Sequence, residues 1–66
     1  MSEINRMFTP AEIRRMLNLT LEELAKKLGV SHMTLQRREK GESAWKATEI
    51  KILAELSGIP IDRIQY

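Results

Sequence analysis

A single residue, Val30, separates a glycine suited to end one helix from a serine suited to start another, and no other feature constrains the chain as much. Ahead of it, Thr20 and Glu23 stand three residues apart. The threonine hydroxyl and the glutamate carboxylate can there satisfy each other's free backbone donors at a helix start. Leu19 and Leu24 fall at the spacing of a hydrophobic staple across that cap. Leu21, Leu24, Ala25 and Leu28 recur at helical spacing and leave Glu22, Glu23, Lys26 and Lys27 for water. Gly29 ends this helix, because glycine enters the left-handed region without a Cβ penalty. Ser31 caps the next one. With so short a connection the two helices must turn sharply and pack together, with the small Ala25 under their crossing.

The second helix has an outer face of unusual composition. Val30 and Leu35 stand at staple spacing across the Ser31 cap, and both are expected to point inward. Rotating from Leu35 by about 100° per residue puts Met33, Gln36, Arg37 and Lys40 on the far side. That side carries no acid.

The set Thr20, Glu23, Leu24, Ala25, Leu28, Gly29, Val30, Ser31, Leu35, Glu39 and Gly41 resembles the lambda-repressor-like family of helix-turn-helix proteins, the Cro and CI type. Downstream, the run from Leu53 to Asp62 looks like the family's fourth helix and the turn into its fifth, so the resemblance covers roughly Glu12 to Ile64. It implies an all-α, compact five-helix domain with its central helix-turn-helix at 20–41, most like a small Cro-type repressor. It also implies an ion pair between Arg14 on the first helix and Glu39. Three positions depart from the family pattern. Leu21 replaces a glutamine that in many relatives touches phosphate. Arg38 takes a place usually held by a large apolar residue, with Trp45 available to fill the space. Glu42 puts an acid where basic loop residues are common.

Sixty-six residues suit one domain, expected here over 8–66 behind a short mobile arm at 1–7. A domain of that size buries only about 60% of the surface its unfolded chain exposes, so every apolar residue at helical spacing is needed. No cysteine is present to supplement the core, and no apolar run approaches the length of a signal peptide or membrane span. A cytoplasmic protein of a bacterial cell, encoded by a phage or mobile element, is the expectation. The net charge of +2 is mild, but Arg37, Arg38 and Lys40 crowd the second helix of the motif, whereas Glu12, Glu22 and Glu23 sit at helix starts.

Along the rest of the chain, Phe8, Thr9, Pro10, Glu12 and Ile13 give a near-complete helix start, followed by an inward stripe of Ile13, Met16 and Leu17. The segment from Glu42 to Thr48 leads to a fourth helix for which Ser43 or Thr48 is the expected cap. That helix carries two apolar stripes, Ile50, Leu53, Ala54 and Ser57 on one side and Trp45, Ile52 and Leu56 on the other, so it needs two neighbours. Ile61, Ile64 and Tyr66 supply either the second neighbour or, with Trp45 and Leu56, a dimer interface.

Reading bases in the major groove requires paired donors or a methyl-seeking apolar tip on a helix narrow enough to enter. Arg37 suits a guanine edge, Gln36 an adenine edge, Met33 a thymine methyl, and His32 a donor or an acceptor according to tautomer. These four are the expected base contacts. Thr20, Ser31, Thr34, Arg38, Lys40, Ser43 and Lys46 are the expected phosphate contacts, which set register and supply salt-sensitive affinity. The one histidine has no acid at triad or ligand spacing, and no glycine-rich phosphate loop is present, so no enzyme, metal, cofactor or small-molecule ligand is expected. The expected partners are double-stranded operator DNA and, at least on that DNA, a second copy of the chain. An antitoxin-type or excisionase-like factor working with a protein partner remains open. So does a protein-interaction module on the same fold.

Overall fold

Each of the first three helices starts at a cap marked in the sequence. In the computed structural model, which describes residues 6–66, α1 spans Pro10–Met16, α2 Leu21–Leu28, α3 His32–Glu39 and α4 Ala47–Ser57. The Glu12 N–H donates to Thr9 Oγ1 (3.2 Å) while the Thr9 N–H donates to Glu12 Oε1 (3.0 Å). The Glu23 N–H and Thr20 Oγ1 (3.0 Å), with the Thr20 N–H and Glu23 Oε1 (2.8 Å), repeat the arrangement at α2. Such a cap contributes about 1 kcal/mol. At the end of α1, Asn18 takes a left-handed conformation (φ 59°) and the Leu19 N–H donates to Arg14 O (3.2 Å), a stop that a short polar side chain tolerates.

The start of α4 differs from expectation. Neither Ser43 nor Thr48 caps it: Lys46 occupies the cap position and Thr48 lies inside the helix. A lysine has no acceptor, so the only side-chain help comes from Glu49, whose Oε1 accepts from the Lys46 N–H at 2.9 Å. Gly58, at φ 77°, ends the helix.

The fifth helix is a correction. Among the described residues there are four α-helices, and the chain beyond them makes one 3-10 turn, Ile61–Arg63. Pro60 starts that turn without an N–H to give, and the residues after it do not continue as a helix. Their hydrogen bonds go sideways instead. The Phe8 N–H donates to Arg63 O (2.8 Å) and the Gln65 N–H to Phe8 O (2.7 Å), forming an isolated parallel bridge between Phe8 and Ile64.

Ile13, Leu24, Ala25, Leu28, Leu35, Ile50, Leu53 and Ile64 form the buried core, with Phe8, Leu17, Leu19, Leu21, Val30, Trp45, Ile52, Ala54 and Ile59 packed around it. Two apolar residues fall on the other side of expectation. Met16, assigned to the inward stripe of α1, is exposed, because α1 stops at that residue and Leu17 alone turns back to the core. Ile64, assigned to the dimer interface, is buried under the bridge to Phe8. Of the expected arm, residues 1–5 lie outside the described residues. Arg6 rests over the Phe8 ring, 4.4 Å from its centroid, with Nη2 3.4 Å from Glu12 Oε2.

Candidate nucleic-acid interface

The geometry of the motif follows from its turn. Gly29 is left-handed at φ 76°, and the Val30 N–H donates back to Ala25 O at 3.0 Å, so the chain reverses within one residue of the end of α2. Ser31 then starts α3: its Oγ accepts from the Thr34 N–H (3.1 Å) and donates to Thr34 Oγ1 (2.9 Å). Ala25 and Leu35 are buried, which lets α2 and α3 pack closely and holds α3 from its inner side.

With Leu35 inward, the outer face of α3 is fixed. His32, Arg37 and Lys40 are exposed, Gln36 is half-buried, and Met33 is 58% exposed. Among the described residues neither Arg37 nor Lys40 has a carboxylate within ion-pair distance. An α-helix whose outer side offers guanidinium, amide, imidazole and thioether groups and no acid is suited to the edges of bases in a major groove.

The far end of α3 is braced from two sides by adjacent residues of opposite charge. Arg14 of α1 makes a bidentate pair with Glu39, Nε to Oε2 at 2.8 Å and Nη2 to Oε1 at 3.2 Å, and its Nη1 donates to Leu19 O at 3.0 Å. The two side chains are only 15% and 11% exposed. Arg38 turns toward α4, where its Nε lies 2.8 Å from Glu49 Oε1 and the exposures are 10% and 4%. That Nε–H is not aimed along a hydrogen bond, so the contact is one of charge. The Nη1 of Arg38 donates to Ser43 Oγ (3.1 Å) and Ala44 O (2.9 Å).

Arg38 is therefore a correction to the expected phosphate contacts. Its head is committed to Glu49, Ser43 and Ala44, because Glu49 is buried and an unpaired carboxylate there would be costly. Ser43 Oγ, half-buried, accepts from Arg38 and keeps its own O–H to donate. Thr20, Ser31, Lys40 and Lys46 stand exposed and Thr34 is half-buried. Of the expected dimer residues, Leu56, Ile61 and Tyr66 are exposed, Trp45 is half-buried against the core, and Ile64 is inside. Leu21, in the place of the family's glutamine, packs on the core. Sequence reasoning missed Glu49 altogether; its one signal was its place three residues after Lys46.

The model of helix-turn-helix domains matches residues 11–64. The chain belongs to the lambda-repressor-like helix-turn-helix family. No curated protein and no solved structure matches it significantly. Helix-turn-helix domains of this family bind double-stranded DNA, and α3 occupies the place of their recognition helix. Among the described residues no helix is long and apolar enough to cross a membrane, and no three His, Asp or Glu side chains gather as a metal site would require.

Proposed function

We propose that this helix-turn-helix protein is a Cro-like transcriptional repressor, a binding protein and not an enzyme, that occupies a near-palindromic operator as a homodimer. The observation that carries the reading is the acid-free outer face of α3, held rigidly by Leu35 inside and by two arginine–glutamate pairs at its end. His32, Met33, Gln36 and Arg37 are the base contacts in this reading, with Arg37 holding a guanine edge. Thr20, Ser31, Thr34, Lys40, Ser43 and Lys46 take the phosphates. Exposed Leu56, Ile61 and Tyr66, with half-buried Trp45, supply the seam between two copies. Two recognition helices about 34 Å apart then read the two halves of one site. Likeness to the small Cro-type repressors favours promoter occlusion over ligand-controlled regulation, and a phage or mobile element as the source.

The deciding experiment is selection of duplexes from a random pool by the purified protein, followed by a salt titration on the winner with the wild type and Arg37→Ala. The expected result is a palindromic consensus, steep salt dependence, and preference relaxed at one position of each half-site in the variant. Absence of any enrichment at low salt would overturn the repressor reading. Met33, a large apolar side chain on an otherwise polar face, would then direct attention to a protein partner.

A further inference from the structure

The loop between α3 and α4 is anchored in an unusual way. Among the described residues Ser43, Ala44 and Trp45 make no backbone–backbone hydrogen bond. Their polar anchors come from one buried pair. Arg38 Nη1 donates to Ser43 Oγ and to Ala44 O, and Glu49 Oε1, beside Arg38 Nε, accepts the Lys46 N–H. Trp45, between these anchors, packs half-buried against the core.

Stability alone does not account for such a pair. Two charges lose their hydration on burial, and apolar side chains of similar volume often fill such a place with equal or better stability. A guanidinium can do what an apolar residue cannot: its fork holds a hydroxyl and a carbonyl from successive residues while its charge faces the Glu49 carboxylate. Glu49 in turn fixes the backbone of Lys46, whose side chain stands exposed. A lysine on a fixed backbone has less freedom to lose on meeting an anion than one on a loose loop.

We propose that Arg38 and Glu49 are positioning residues that hold the loop from Ser43 to Lys46 in one shape and so present Lys46 to a duplex phosphate at a fixed offset from α3. The inference rests on the DNA-binding reading above. Neither Arg38 nor Glu49 touches the nucleic acid.

The test is the double variant R38M/E49M, which removes both charges and keeps an unbranched apolar filling. Thermal unfolding is compared with wild type, backbone order parameters are measured at residues 43–46 in the free protein, and affinity for a mixed-sequence duplex is titrated against salt. A midpoint within about 5 °C of wild type is expected, with the loop order parameters falling from about 0.85 to below about 0.6. The slope of log affinity against log salt should shrink by about one phosphate contact. Lys46→Ala should produce the same loss of slope, and R38M/E49M added to it should produce no more. Should the double variant not fold, Arg38→Lys keeps a charge opposite Glu49, removes the fork, and should still lower the loop order parameters. Unchanged loop order overturns the proposal. So does an unchanged slope, or a slope loss that adds to that of Lys46→Ala. A wild-type protein that binds no duplex even at low salt sinks the DNA reading and the phosphate role together, while the order parameters still decide whether the pair orders the loop.

Discussion

Replacing Glu39 by alanine strands Arg14 in a largely dry site, and the cost can be worked from the contacts. The substitution removes two charge-assisted hydrogen bonds, at 2.8 and 3.2 Å, and leaves the guanidinium with the Leu19 carbonyl as its remaining protein partner. Breaking a buried pair costs about 3–5 kcal/mol, most of it the uncompensated charge. The Leu19 carbonyl and the residual 15% exposure of Arg14 put the expectation at the low end, about 3 kcal/mol. At roughly 0.05–0.15 kcal/mol per residue, 66 residues are worth about 3–10 kcal/mol in all, so Glu39→Ala removes a large fraction of the stability. The corresponding fall in Tm is about 12–24 °C, at 4–8 °C per kcal/mol for a domain of this size. The double variant R14M/E39M leaves no charge behind and should lie within about 1 kcal/mol of wild type. Urea unfolding followed by circular dichroism measures all three proteins. A Glu39→Ala loss below about 1 kcal/mol, the value of a surface pair, would refute the reasoning, and so would a double variant as unstable as the single.

Lys40→Ala should weaken binding equally on the selected duplex and on a mixed-sequence one, and lower the salt slope by about one contact, read by fluorescence anisotropy. Asn18→Ala puts a Cβ-bearing residue without a local polar partner into the left-handed region and should cost about 1 kcal/mol in urea unfolding. Asn18→Gly should fall within about 0.5 kcal/mol of wild type or above it. Leu56→Glu sets a charge into the apolar seam of the proposed dimer. Sedimentation on a full-site duplex should then show one copy bound where wild type binds two, with half-site affinity unchanged.

What acts within a few residues was legible in the chain. Thr9 with Glu12, Thr20 with Glu23, and Ser31 ahead of Thr34 each satisfy backbone donors one turn away, so spacing alone identifies them. Gly29 and the single Val30 likewise dictate a sharp turn with no help from the rest of the molecule. What depends on distant partners was not legible. Ile64 looked like surplus apolar surface because its partner, the backbone of Phe8, lies at the other end of the chain. Arg38 looked like a cation for DNA because nothing local shows that Glu49, on the next helix, is buried opposite it. A fifth helix was expected from family likeness, but Pro60 and the bridge to Phe8 leave room for a single 3-10 turn. Of the expected DNA contacts, the outer face of α3 depended only on helical rotation from Leu35. The loop contacts depended on a fold of the α3–α4 connection that no local signal describes.

The bridge between Phe8 and Ile64 brings the segment that leads into the first helix and the segment that leaves the last turn side by side. The polypeptide therefore traces a nearly closed circuit. Joining residue 8 to residue 65 through a short flexible strap would make a ring with little distortion of the folded shape. Such closure restricts the unfolded chain far more than the folded one, by roughly 4 kcal/mol for a circuit of this length on chain-entropy grounds. The same adjacency suits the fold to being spliced into a surface loop of a host protein, where the two insertion points need be no farther apart than neighbouring strands of a sheet.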